Sequence, residues 1–443
     1  MPTETFSNLD KYLGLNYYIT SPKSIGGRIR AKVEDFIVEE VSADRLRASP
    51  NATPSDGIGE YLWFILEKRN LDMITAIEII SRQLNIPRNH FFYAGIKDAR
   101  AITRQFVSTF TSYEHTLKMF QHNKIKLYAF FRRPFKLRPG LLYGNWFKIK
   151  ISDLEIFYEK ALKIVSELVR EIETLGGVPA YYGYQRFGTI RPNTHIVGKY
   201  IIKGLFEEAV WEYIARPYLR ERFYDTRREA WKRRDPEFVL KEYPKSLHHE
   251  RLMAEHLCKN PRDYVGALRR LPLTLRKMFI QAYQSYLFNK LVSKRIEHGL
   301  SLVFPQIGDY VGLIDSRGIV SSVVKVSKIN IAEVERLIRE RKAVLVGNIF
   351  GYGTRLAGGY PGQLEREILE EENLKLEYFK IKSMPEISSK GRYRHLSFRV
   401  EDFKVTEACE NYVTVEFILK KGNYATVFLR EIMKPTDVVA SGY

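Results

Sequence analysis

Cysteine is scarce in this chain: there are two, Cys258 and Cys409, far apart in sequence. That excludes a disulfide framework, and without a CxxC pair it excludes the usual zinc ribbons and fingers. The 9 histidines are scattered with no H-E-x-x-H or comparable ligand spacing, and His248-His249 reads as solvated surface. Phosphate-cradling loops are missing as well. Gly351-Tyr352-Gly353-Thr354-Arg355 lacks both the lysine and the spacing of a nucleotide loop and reads as a turn. No apolar run approaches the roughly 20 residues that a membrane-spanning helix needs. The segment Met1 to Asn16 is polar and acidic, without the core of a signal peptide. These absences give an expectation of no metal, no cofactor, no membrane attachment and a cytoplasmic location. No protein partner is evident.

Positive charge is what the chain has in excess. It carries 71 Lys+Arg against 52 Asp+Glu, a formal net charge of +19. Such a balance speaks to polyanionic partners rather than to fold. With neither an amphipathic anchor nor a lipidation signal, nucleic acid is a better partner than a membrane surface. The cations cluster at Arg132-Arg133 with Lys136 and Arg138, at Arg227-Arg228 and at Lys232-Arg233-Arg234. Each cluster is either a solvated face or a phosphate contact.

Residue patterning predicts a mixture of strands and helices. Residues 28–40 read as a strand whose apolar register shifts by one, so a bulge or break is expected near Glu34-Asp35. Residues 42–59 read as a mobile loop, and Tyr61 to Leu66 as a buried strand. Met73 to Leu84 has helical apolar spacing, ended by Pro87. Residues 125–130, 146–151 and 413–419 read as strands, and residues 156–175 as an amphipathic helix closed by Gly176-Gly177. The segment from Arg216 to Lys277 reads as charge-dense helix. Strands are expected at 302–313, 319–327 and 343–346, with a helix at Ile331 to Arg341.

The chemistry points to Ala94-Gly95-Ile96-Lys97-Asp98-Ala99-Arg100-Ala101-Ile102-Thr103-Arg104-Gln105. A strand over Phe91 to Ala94 leads into Gly95, and Ala99 and Ala101 suit a following helix, so Asp98 is expected at a strand-to-helix junction. A carboxylate kept ionised by Lys97, Arg104 or Arg30 is a competent nucleophile toward a sugar carbon; otherwise such an Asp is an N-cap or a salt-bridge partner.

That segment resembles the signature of the TruD family of RNA pseudouridine synthases, AG-x-KD-x-x-A-x-T-x-Q. Gly176 to Gly188, with Val178-Pro179-Ala180-Tyr181-Tyr182-Gly183-Tyr184-Gln185-Arg186-Phe187-Gly188, resembles its VPNYFG-x-QRFG block. Glu34-Asp35-Phe36-Ile37-Val38-Glu39-Glu40 resembles EDF-x-V-x-E, and Gly422-Asn423-Tyr424-Ala425-Thr426 with Arg430-Glu431 resembles the C-terminal G-x-[YF]-AT…RE. Weaker matches are Lys136-Leu137-Arg138 with Gly144-Asn145, and Gln281 to Asn289. The blocks occur in the family's order over almost the whole chain, which is similar to an archaeal or eukaryotic member.

The resemblance implies an α+β pseudouridine synthase fold with a mixed, mainly antiparallel sheet flanked by helices. An inserted α/β TRUD domain interrupts it: residues 1–190 and 386–443 catalytic, 191–385 inserted. It implies an isomerase that breaks the N1–C1′ bond of a uridine in tRNA, turns the base and joins C5 to C1′, with no cofactor. Position 13 is the bacterial site, and archaeal and eukaryotic relatives also reach others, including 35. The catalytic residue carried over is Asp98. Arg30, Phe36, Lys97, Tyr182, Gln185, Arg186 and Tyr424 are carried over as substrate-binding, the aromatics as faces for a base drawn out of its stack. Arg30 stands where family members often have lysine, keeping the charge with a different shape. Ala180 replaces the family's Asn and removes an amide that could bond a uracil edge or hold the aspartate loop. The competing reading is a non-catalytic tRNA-binding or RNA-chaperone protein that keeps the fold. A metal-dependent nuclease lacks its carboxylate cluster.

Overall fold

The computed structural model describes residues 2–95, 97, 100–315 and 319–443; Asp98 lies outside the described residues. The fold is α+β. The chain packs as two compact units, residues 23–173 with 399–443, and residues 1–22 with 174–398. These breaks do not coincide with the boundaries expected after residues 190 and 385. The block Val178 to Phe187 packs within the second-named unit, where its Tyr182 amide is held by Asn289 of a long helix.

The unit of residues 23–173 and 399–443 is built on a nine-stranded sheet. Its order runs Glu401–Cys409, Tyr412–Lys420, Leu142–Leu154, Phe36–Ser42, Ile102–Phe110, Tyr61–Arg69, Ile125–Arg133. Gly26–Arg28 adds to Leu142–Leu154, and Phe92–Tyr93 to Ile102–Phe110. One pair, Phe36–Ser42 with Ile102–Phe110, is parallel, and the others are antiparallel. Tyr61–Arg69 is buried on both faces. Leu62, Phe64 and Leu66 pack with Met73, Ile77 and Ile80 of the helix Met73–Leu84, and Trp63 and Ile65 pack with Phe106 and Phe131 on the other side. That helix begins at Asp72, whose carboxylate accepts from the Thr75 amide at 2.9 Å, and ends at Asn85 in a left-handed conformation. Tyr158–Thr174 buries Ala161, Ile164, Val165, Leu168 and Ile172, the spacing read from sequence.

The break expected in the first strand is found, and two other elements differ. The 28–40 strand is broken: Gly26–Arg28 ends, Val33–Asp35 forms a 3-10 turn capped by the Asp35 carboxylate on the Lys32 amide, and Phe36–Ser42 begins anew. The break coincides with Arg30 at φ 56°, a left-handed conformation in a non-glycine residue. No helix follows the signature loop. Ile102–Phe110 is a strand, because its β-branched and aromatic residues outweigh the two alanines before it, so the loop joins two antiparallel strands of one sheet. Finally, the expected 302–313 strand starts at Tyr310.

The other unit surrounds the 25-residue helix Leu273–Glu297 with shorter helices, and carries a four-stranded antiparallel sheet. That sheet runs Val320–Lys325, Tyr310–Ile314, Ala343–Ile349, Arg392–His395. Residues 1–22 are fastened to the long helix: the Asn16 amide donates to Ser293 Oγ at 3.0 Å, and Asn289 Nδ2 donates to the Leu13 carbonyl at 3.0 Å. His195 is 1% exposed, set edge-on to Tyr12 and Phe187. Burial, then the Lys199 charge, pushes its imidazole down to about 3. Glu365 accepts from Asn348 Nδ2 at 2.9 Å and from the Ala357 amide at 2.8 Å, near the Arg295–Asp309 ion pair. Burial pushes its carboxyl up to about 7. No described helix is long and apolar enough to cross a membrane.

Candidate active site

Motif residues hold the signature loop from both sides. Glu40, the last residue of the EDF-x-V-x-E block, sits on Phe36–Ser42 and is 0% exposed. One of its carboxylate oxygens accepts from the Phe106 amide at 2.9 Å, and the other pairs with Lys97 Nζ at 3.1 Å. Lys97 also donates to Asn145 Oδ1 at 2.6 Å. Gln105, the last residue of the signature, donates from Nε2 to the Gly95 carbonyl at 3.3 Å. The loop is therefore tied by its second residue to its own end, and by Lys97 to two neighbouring strands. An ammonium that is 13% exposed needs an opposite charge and an acceptor, and Glu40 provides the first and Asn145 the second.

Beside this lies a second cluster of buried charge. Arg104 Nε donates to Glu67 at 2.7 Å, and its Nη1 donates to Glu39. Arg47 adds a further contact to Glu39 at 2.8 Å. Burial pushes the Glu39 carboxyl up despite Arg104 and Arg47. Burial acts on Glu67 in the same sense, but Arg104 and Arg69 prevail and hold its carboxyl low. Arg104, read from sequence as a cation that keeps Asp98 ionised, is thus engaged by two glutamates. Lys97 is likewise engaged by Glu40.

Arg30 and Phe36 are brought together. The guanidinium lies 3.9 Å from the centre of the Phe36 ring, and its Nη1 donates to the Gly442 carbonyl at 3.0 Å. Only glycine fits at 442: φ is +85°, and a Cβ would stand 1.9 Å from the Ile29 carbonyl oxygen. Phe36 is 1% exposed and meets Phe147 edge-on. Tyr424 precedes the helix Ala425–Met433 as its N-cap residue and is half-buried.

Tyr182, Gln185 and Arg186 belong to the other unit. Tyr182 is buried under the Arg394 guanidinium, 4.3 Å from its ring centre, with Arg186 at 5.6 Å. Arg186 Nε donates to Ser285 at 3.2 Å, and Gln185 is exposed. Ala180 is 0% exposed; its amide donates to the Leu396 carbonyl at 2.9 Å and its carbonyl accepts from Arg394 at 3.2 Å. Sequence reading quoted Glu40, Gln105, Asn145 and Asn289 within motifs but gave them no role, and it missed Arg394. The signal available for the first four was their place at the ends of motif blocks.

The cation clusters are largely neutralised. Arg227 is 2% exposed and pairs with Glu250 at 2.7 Å and Glu221 at 2.9 Å, which corrects its reading as a surface cation. Arg228 pairs with Asp225, Arg233 with Glu229 and Arg234 with Glu208.

A signature loop held by buried motif residues on a mixed sheet defines a class of protein, and comparison with known proteins names it. Residues 12–432 match the family model described as tRNA pseudouridine synthase D (TruD). A protein of Methanococcoides burtonii named probable tRNA pseudouridine synthase D is 36% identical over 437 residues, covering 96% of this chain and 97% of that one. A Methanosarcina acetivorans protein of the same name is 37% identical over 435 residues, covering 96% and 97%. The crystal structure of a putative tRNA pseudouridine synthase D from Methanosarcina mazei superposes with a TM-score of 0.83 at 36% identity, covering 96% and 97%. The chain belongs to the tRNA pseudouridine synthase D (TruD) family.

Proposed function

We propose that this chain isomerises a specific uridine of tRNA, at position 13 or position 35 or both, to pseudouridine, with Asp98 as the catalytic carboxylate. The observation that carries the reading is the anchoring of the residue beside it: Lys97 is fixed by Glu40 and Asn145, and the loop is closed by Gln105 on Gly95. A carboxylate that must meet a ribose carbon or a base gains when its neighbours are fixed before substrate arrives. Asp98 attacks the ribose or the base, or assists abstraction of the base; the N1–C1′ bond breaks, C5 bonds to C1′, and the proton leaving C5 is balanced by one gained at N1. Arg30, Phe36, Lys97, Tyr182, Gln185, Arg186 and Tyr424 are the substrate-binding residues of this reading.

Chemical mapping of pseudouridine on a tRNA pool treated with the protein tests it. Wild type should convert one or a few uridines. Asp98→Asn, nearly isosteric, should convert none while keeping its melting temperature and tRNA affinity. Turnover by purified Asp98→Asn would refute the role of the residue, and tRNA binding by wild type without conversion would establish the non-catalytic reading instead.

A further inference from the structure

The segment Gly351-Tyr352-Gly353-Thr354-Arg355 is the turn that its sequence suggests, closed by the Thr354 amide on the Gly351 carbonyl at 3.1 Å and the Gly351 amide on Thr354 Oγ1 at 2.8 Å. It is also clasped to a second segment. The Tyr352 amide donates to the Ser389 carbonyl and the Gly353 amide to the Lys390 carbonyl, each at 3.0 Å. Glycines permit this approach: a Cβ on Gly351 would lie 2.1 Å from the Gly391 nitrogen, and one on Gly391, at φ +87°, 2.6 Å from Thr354 Oγ1. The second segment then runs into Arg392–His395, the edge strand of the four-stranded sheet, where Arg392 is paired with Ile349.

Two backbones fixed in this way present Tyr352, Arg355, Lys390 and Arg392 outward. Tyr352 is 43% exposed, a large exposure for an aromatic on a rigid turn. The three cations are exposed, and among the described residues none of them makes an ion pair. That separates them from Arg228, Arg233 and Arg234, which hold carboxylates of their own. A cation already paired must give up its carboxylate to take a phosphate, whereas an unpaired one exchanges only water and counterions.

We propose that this clasped platform, Tyr352 with Arg355, Lys390 and Arg392, is a tRNA contact in which the three cations take backbone phosphates and Tyr352 stacks an unpaired base. An aromatic face set among cations is the combination that grips single-stranded RNA without reading its sequence. The proposal rests on the tRNA reading above, and extends it to a surface that the reading does not assign.

The test is tRNA binding by the full chain across about 50 to 300 mM salt, for Arg355→Gln/Lys390→Gln/Arg392→Gln, for Tyr352→Ala, and for the control Arg233→Gln/Arg234→Gln. The triple variant should flatten the slope of log affinity against log salt by about two to three, and weaken binding roughly ten- to hundredfold near 150 mM. Tyr352→Ala should weaken binding about tenfold with the slope unchanged. The control should keep the slope, and all variants should keep the wild-type melting temperature. Ultraviolet crosslinking should place RNA on the peptide containing Tyr352. Unchanged affinity and slope in the triple variant overturn the proposal, as does an equal loss in the control. Wild type that binds with these dependences yet makes no pseudouridine would remove the proposed activity and leave this surface standing; wild type that does not bind tRNA removes both.

Discussion

Removing the Glu40 carboxylate should unfasten the signature loop. Glu40 is fully buried, forms an ion pair with Lys97 Nζ at 3.1 Å and accepts from the Phe106 amide at 2.9 Å. Glu40→Ala leaves an ammonium that is 13% exposed with Asn145 as its remaining described partner, and leaves the amide of a fully buried residue unbonded. Breaking one side of a buried pair costs about 3–5 kcal/mol, and the amide is included in that figure because one carboxylate serves both. The loop should shift by an ångström or so, which costs about a hundredfold in a step that depends on alignment. Chemical denaturation should therefore show a loss of about 3–5 kcal/mol, and single-turnover conversion at saturating enzyme should slow about a hundredfold, with tRNA affinity nearly unchanged. Adding Lys97→Met separates the two effects. With the stranded charge replaced by an apolar side chain, more than half of the stability should return, while turnover should not. The reasoning fails if Glu40→Ala unfolds within about 1 kcal/mol of wild type, or if the double variant is no more stable than the single one.

Other groups give sharper pH signatures. Glu365, pushed up to about 7, binds its proton more tightly folded than unfolded, so its contribution is complete below about pH 4.5 and is lost as pH rises through 7. Glu365→Gln should abolish that dependence and gain about 1–3 kcal/mol at pH 8 in denaturant titrations. His195 acts in the opposite sense: held at about 3 when folded, it makes stability fall as pH drops from 6.5 toward 3, by about 2 kcal/mol at pH 5. In His195→Phe, melting at pH 5 and pH 7 should converge by that amount, and a parallel shift at both would contradict the assignment. Ala180→Asn puts an amide where the side chain has no exposure, so thermal melts should show a loss of about 2–4 kcal/mol; equal or greater stability would mean that a pocket for the amide exists.

Regular patterns were legible in the sequence, and long-range pairings were not. The Met73–Leu84 helix follows from apolar spacing between a capping Asp72 and Pro87, and Tyr158–Thr174 from its stripe and two glycines. The strand after the signature loop was misread because Ala99 and Ala101 favour helix locally, while sheet pairing decides the outcome over the residues that follow. The break near Glu34-Asp35 was visible as a shift of register, but the left-handed Arg30 that accompanies it was not. At the site, motif blocks directed attention to Lys97 and Arg30. Their partners Asn145 and Gly442 are 48 and 412 residues away, and periodicity carries nothing over such separations. Two of the clustered cations misled for the same reason: Glu250, which neutralises Arg227, is 23 residues on, and Glu208, which neutralises Arg234, is 26 residues back.

The way the chain threads its two units bears on how it is made. Each unit is discontinuous, and the chain passes between them three times, at 22/23, 173/174 and 398/399. The first 22 residues leave the ribosome with nothing to hold them, since Ser293 and Asn289, which bond Asn16 and Leu13, emerge more than 270 residues later. The nine-stranded sheet waits longer still, because Leu142–Leu154 remains an open edge until Tyr412–Lys420 is synthesised and pairs along it. Neither unit can close before residues 289–293 or 412–420, respectively, have been made. For most of synthesis the nascent protein is a set of unfinished surfaces, so its yield in the cell depends on how those surfaces are sheltered as well as on the stability of the finished molecule.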